Sequence, residues 1–185
     1  AKTKWNFLDF KPGFVGGHCV AIDPYYLYYK GLEVGHKSRI ISFSREINDN
    51  MPKLISKDIL KKLKNKKNDI LIMGVSFKEN CNDTRNSLVP NLYKFLCKNN
   101  RVVVYDPMVN DQFFKSNKIK YIKNFNNQKY DSIILAVPHL KIMKLGLKKI
   151  ESMLKNQSFI YDIKGVLKKN KNIENFKNEY FNHWS

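Results

Sequence analysis

Four short apolar runs punctuate the later part of the chain: Ile70-Leu71-Ile72-Met73-Gly74-Val75, Val102–Tyr105, Asp131–Val137 and Ser158–Asp162. Each has strand length and is apolar throughout rather than alternating, the pattern of a strand buried on both faces. Between them, three- and four-residue steps predict helices over about Ser87–Asn99, near Asp111–Lys115, and over 139–154. Strand and helix in turn imply an α/β fold with a doubly wound parallel sheet, in which ligands sit beyond the carboxyl ends of the strands. That edge carries Ser76-Phe77-Lys78, Asp106-Pro107, Pro138-His139 and Ile163-Lys164-Gly165.

The earlier part of the chain has a different rhythm. Residues 1–18 show neither period and contain Pro12, Gly13, Gly16 and Gly17, so they read as a loop, expected to be mobile without a neighbouring domain. Asp23-Pro24 reads as an N-cap and first helical position, with a helix running through the tyrosines to Gly31 or Gly35. From Ser38 to about Lys64, Ile40, Phe43, Ile47, Met51, Leu54, Ile55, Ile59 and Leu63 form one apolar stripe, which Pro52 should kink. A single long helix of this kind suits linking domains or pairing subunits. The expected division is 1–37 for the loop and first helix, 38–67 for the long helix, and 68–185 for the sheet domain.

Composition narrows the function classes. With 43% hydrophobic and 13% aromatic residues in 185, the chain can build a core, which excludes disorder as a description of the whole. The apolar runs fall far short of the roughly 20 residues of a membrane span, so no membrane partner is expected. No secretory signal opens the chain, and its start without methionine suggests a piece of a longer protein. The net charge of +18 invites a nucleic-acid partner, but Arg39, Arg45, Arg85 and Arg101 are the only arginines. Base and bidentate phosphate recognition lean on arginine, so the lysine excess reads as surface drift in an AT-rich genome, with a share left to attract an anionic small molecule. Cys19, Cys81 and Cys97 form no Cys-x-x-Cys pair, which points to a reducing cytoplasm and no metal site.

Cys19 stands apart from the other two. It follows Gly16-Gly17-His18 and precedes a helix, where unpaired N–H groups and the helix dipole favour the nucleophilic thiolate. Asp23 lies four residues on, about one helical turn, in reach of a shared water. A nucleophile with a water-holding carboxylate can form and hydrolyse a thioester. Lys78 and Arg85, flanking a strand end, suggest an anion site. His18 reads as a structural hydrogen-bonding residue.

The string Phe10-Lys11-Pro12-Gly13-Phe14-Val15-Gly16-Gly17-His18-Cys19-Val20-Ala21-Ile22-Asp23-Pro24-Tyr25-Tyr26-Leu27 resembles the catalytic segment of the UDP-glucose/GDP-mannose dehydrogenase family. A second match, Gly74 to Ser87 with Phe77-Lys78 and Asp83-Thr84-Arg85, resembles the opening of that family's UDP-binding domain. The resemblance implies a Rossmann-like sheet domain and NAD-dependent oxidation of a UDP-sugar C6 alcohol to the uronic acid. Cys19 is then the nucleophile and Asp23 the carboxylate that handles water. Phe10, Gly13 and Gly16 would line the substrate, Phe77, Lys78 and Lys164 would hold its UDP moiety, and Cys19, Ile22 and Arg85 would approach NAD. It also implies a homodimer paired through the long helix. The His18 variant looks most like UDP-N-acetylhexosamine enzymes of O-antigen, Vi-type or capsular polysaccharide synthesis, and Phe14 and Ile22 depart from the glucose type. The family's glycine-fingerprint NAD domain is missing from this sequence. A non-catalytic nucleotide-binding module, or a lysine-rich nucleic-acid-associated domain, is the alternative, with the reactivity of Cys19 as the discriminating feature.

Overall fold

A computed structural model describes residues 3–8, 12–63, 67–167 and 179–182. Two helices, α1 (Cys19–Glu33) and α2 (Arg39–Lys62), precede a sheet domain. There β1 (Asp69–Met73), α3 (Val89–Leu96), β2 (Arg101–Tyr105), α4 (Asp111–Ser116), β3 (Tyr130–Leu135), α5 (Leu140–Met143), α6 (Leu147–Glu151), β4 (Leu154–Asp162) and β5 (Glu179–Asn182) follow in turn. The strand order is β2-β1-β3-β4-β5 and every pairing is parallel. Because β2 and β3 flank β1 on opposite sides, the chain reverses its winding between β1 and β3, which opens a crevice at their carboxyl ends.

Alternate residues of one strand feed two separate cores. Ile70 and Ile72 of β1 face a layer with Ile55 and Ile59 of α2, Leu92 and Leu96 of α3, and Phe114 of α4. Leu71 and Met73 face Ile142 and Ile150 from α5 and α6. Both faces are therefore covered by helices, as the unbroken apolar runs required, and the fold is the expected Rossmann-like α/β arrangement. Among the described residues no helix is long and apolar enough to cross a membrane.

Several elements differ from the sequence expectation. The helix expected over 139–154 is two short ones, parted at Gly146, whose φ of 76° lies in the left-handed region. Strand β4 begins at Leu154 rather than Ser158 and reaches its main register after an irregularity in its pairing with β3. Helix α1 starts at Cys19 with His18 as N-cap, not at Asp23, and Pro24 lies inside it. The proline lies in the second turn and removes one ladder bond, toward Val20. Pro52 likewise leaves α2 unbroken. Its C-terminal half is anchored by Met51, Ile55 and Ile59, and by Tyr161, which donates a 2.7 Å hydrogen bond to Asp58.

Candidate functional site

The glycine loop is seated on the carboxyl edge of the sheet. Gly17 N–H donates to Arg85 O at 3.0 Å, and the Asn86 side-chain amide donates to Gly17 O at 2.9 Å. A Cβ at Gly16 would lie 2.6 Å from Asn86 O and 3.0 Å from Phe77 Cβ, so only glycine permits this approach. Gly17, at φ 91°, lies against the Phe77 ring. On the other side of the loop Lys164 covers Gly13, whose Cβ would meet Lys164 Cε at 3.0 Å. Val15 is clamped from α2, with N–H donating to Asn48 Oδ1 at 3.0 Å and O accepting from Asn48 Nδ2 at 2.8 Å. Between Phe14, Gly16, Phe77 and Lys164 only about 10 Å³ of free space remains. The loop thus has partners within this chain.

Cys19 emerges from that seat at the first position of α1, with its thiol exposed. The Arg85 guanidinium is held firmly protonated, chiefly by its hydrogen bond and charge pairing with Asp83, with smaller contributions from Cys19 and Cys81. In return Arg85 brings the Asp83 carboxyl down to about 2. Asp23 follows one turn along α1 and is exposed, and Ile22 is half-buried. Lys78 is exposed, its ammonium 5.3 Å from the centroid of the Phe77 ring. Gly13, Gly16, Cys19, Phe77, Arg85 and Lys164 are thus gathered at one edge, with Lys78 beside them. Phe10 lies outside the described residues.

Beneath this edge, residues that the sequence placed there form a buried network that it did not foresee. Asp106 and His139, at the ends of β2 and β3, have fully buried side chains and meet at 3.1 Å. Asn80 N–H donates to His139 Nδ1 at 2.9 Å, so Nδ1 carries the lone pair and Nε2 the proton. Nε2–H is shared between Asp106 Oδ2 and Ser76 Oγ at 3.2 Å, while Ser76 donates its own proton to Lys78 O. Asp106 also accepts from the backbone N–H groups of Val75, Ser76, Met108 and Val109. Burial works to raise its pKa, but the hydrogen bonds from His139 and the backbone hold it below the ordinary carboxylate range. The network fixes the backbone of 75–80, the segment that presents Phe77, Lys78 and Glu79.

Glu79 accepts a hydrogen bond from Lys164 at 2.5 Å. Burial opposes its ionisation, yet the Lys164 hydrogen bond, its own backbone N–H and the lysine charge bring its pKa below the usual glutamate value. A separate apolar cavity of about 350 Å³ lies between α1 and α2, lined by Val20, Pro24, Tyr25, Ile40 and Ile41. It is a seam between helices, with Arg45 the one charged side chain on its wall among the described residues. Among the described residues no group of three or more His, Cys, Asp or Glu is placed to hold a metal.

Two segments of the chain match parts of one known family. The family's UDP-binding domain matches residues 71–169 and its central domain residues 1–50. The chain belongs to the UDP-glucose/GDP-mannose dehydrogenase family. It is 38% identical over 177 residues to UDP-N-acetyl-D-glucosamine 6-dehydrogenase of Salmonella typhi, covering 90% of this chain and 41% of that protein. It is also 38% identical to Protein CapL of Staphylococcus aureus, covering 89% of this chain and 40% of the relative. A solved structure, the UDP-D-ManNAc dehydrogenase of Pyrococcus horikoshii, superposes with a TM-score of 0.73 at 23% identity, covering 97% of this chain and 42% of that one. The chain spans about two-fifths of the length of the relatives it matches.

Family membership places the glycine-loop cysteine and the Phe-Lys segment in one class of protein, and the structure adds what ties them together. Asn48 and Asn86 were missed because each acts across the fold, and Asp106 and His139 were placed on the ligand edge without their pairing being foreseen. Asp106 and His139 are 33 residues apart, and the available signal was that both fall just past the end of an apolar run.

Proposed function

We propose that these residues form the nucleotide-binding and thiol-bearing part of an NAD-dependent 6-dehydrogenase acting on a UDP-N-acetylhexosamine, in the synthesis of a capsular or O-antigen type polysaccharide. The observation that carries this reading is the seating of Gly16-Gly17 on Arg85, Asn86 and Phe77, which brings the start of the Cys19 helix beside the cationic edge of the sheet. Phe77 offers a face for the uracil, and Lys78 and Lys164 offer charge for the diphosphate. The printed activities of the relatives, together with Phe14 and Ile22 in place of the glucose-type residues, favour a hexosamine. The unpaired cysteines fit a reducing cytoplasm.

NAD fits these residues at one end only. Arg85 would meet its pyrophosphate, with the backbone from Cys19 to Ile22 near the nicotinamide, whereas no described strand is followed by a glycine fingerprint. When bound, NAD⁺ would supply the acceptor for one hydride from C6, so the two oxidations consume two NAD⁺ in turn. Cys19 contributes the sulfur that adds to the C6 aldehyde as a thiohemiacetal and is left as a thioester after the second oxidation. Asp23 orients a water, takes its proton as the C–O bond forms, and the C–S bond breaks to release the uronic acid and the thiolate. The helix N-terminus stabilises that thiolate as it leaves.

The exposed row of Ile40, Phe43 and Ile47 on α2 supports a homodimer paired through this helix. Calorimetric titration of the chain with UDP tests the nucleotide half: binding is expected, weakened about tenfold by Lys78→Met, and its absence refutes the reading. Timed alkylation tests the thiol. Cys19 should be labelled well before Cys81 and Cys97, and equal rates would favour a binding module without catalysis.

A further inference from the structure

We infer that Glu79 is a resident counter-anion of the nucleotide site, holding on Lys164 the position that a ligand phosphate takes, so that nucleotide binding exchanges one anion for another. This deepens the nucleotide reading above and rests on it.

Both partners have fixed roots and movable heads. The Lys164 backbone is set by the Asp162 carboxylate, which accepts from the N–H groups of Lys164, Gly165 and Leu167. The Glu79 backbone stands between Lys78, whose carbonyl accepts from Ser76 Oγ, and Asn80, whose N–H is bound to His139. Only the two long side chains can rearrange, and their charged heads meet at 2.5 Å, with the lysine 19% exposed and the glutamate 35%.

The space next to the pair sets the consequence. The crevice between Phe14, Gly16, Phe77 and Lys164 has room for about one water, and the Lys164 ammonium is already engaged by Glu79, so an anion seated there competes with that carboxylate for it. A carboxylate and a phosphate on one ammonium repel each other strongly in a half-buried setting. The anion that wins is the one with more charge and a second anchor. A diphosphate has both, since it can span Lys164 and the exposed Lys78, whereas a nucleoside or a carboxylate metabolite has neither. Glu79 therefore acts as a threshold against weakly charged ligands, and removing its charge should improve binding.

The test is calorimetric titration of the 185-residue chain with UDP and with uridine, for wild type, Glu79→Gln, Lys164→Met and the double variant, at low and moderate salt. Glu79→Gln is expected to tighten UDP about fivefold, the scale of one partly exposed ion pair, and to leave uridine unchanged. Its UDP affinity should also fall more steeply with salt, because solution anions replace the internal one. In the Lys164→Met background the same substitution should change UDP affinity by less than about twofold. Equal tightening with and without Lys164 would reduce Glu79 to a distant charge and overturn the exchange. Weaker or unchanged UDP binding in Glu79→Gln would overturn it too, as long as wild type binds UDP. If neither wild type nor Glu79→Gln binds UDP, the nucleotide reading itself fails and this inference with it. Glu79→Asp keeps the charge on a shorter stem and should give a smaller gain, a check that needs no loss of charge.

Discussion

The two halves of α2 carry the same spacing of apolar residues and meet opposite surroundings. Met51, Ile55 and Ile59 are 7%, 0% and 0% exposed against the sheet, while Ile40, Phe43 and Ile47, one to three turns earlier, are 81%, 56% and 62% exposed. Periodicity identifies the face of a helix that seeks cover and says nothing of what covers it. The C-terminal half finds its partner within the chain. Its N-terminal half holds the glycine loop through Asn48, meets α1 across the seam at Ile41, and turns Phe43 and Ile47 outward.

The contrast is broken most directly by truncation. Ile59→Ala removes a fully buried side chain and should cost about 3 kcal/mol in chemical unfolding, whereas Ile47→Ala, at concentrations where the chain is monomeric, should stay within about 0.5 kcal/mol. Comparable losses at the two sites would mean that the exposed half is covered in solution even in the free chain. A charge at the outer row sharpens the point: Phe43→Glu should weaken self-association at least tenfold by light scattering, with the unfolding midpoint little changed. Retained association would place the dimer contact elsewhere.

A smaller effect is expected where α2 is tied to the sheet by a polar contact. Tyr161→Phe removes the hydroxyl bonded to Asp58, which keeps Lys62 at 3.5 Å and access to water, so the loss should be about 1 kcal/mol. The smallest effect belongs to the far edge of the sheet. There the Arg101 hydrogen bond, opposed by burial and joined by Lys155, holds Asp69 below the usual carboxylate range. Because its folded pKa is lowered, its contribution is present above the unfolded value of about 3.9 and is lost as pH falls through the folded value. Asp69→Asn should therefore cost somewhat under 1 kcal/mol near neutrality, and the difference from wild type should vanish in acid. A gap that persists at pH 2 would assign the cost to packing rather than charge.

How far the sequence reached follows the same line between local and distant causes. Strands β1 to β4 were legible because each must be apolar on two faces, but their order and β5 were not, since pairing is set by contacts across the sheet. Gly16, Gly17 and Cys19 were legible as a motif. The helix start at Cys19 was not, because Asp23-Pro24 is the stronger local signal and is overridden by the anchoring of Gly17 on Arg85 and Asn86. Glu79 was not singled out, because its partner Lys164 lies 85 residues later.

The joint between Gly17 and the Arg85–Asn86 backbone has a geometric consequence. The loop that carries the sulfur and the segment that presents Phe77 and Lys78 are tied through main-chain atoms, with no room for a side chain at Gly16. On the proposed reading the protein then works as a caliper: one jaw grips the nucleotide, the other is Cys19, and the gap is fixed before any ligand arrives. A sugar whose reacting carbon sits one bond nearer to or farther from its diphosphate would be gripped as tightly and never meet the thiol.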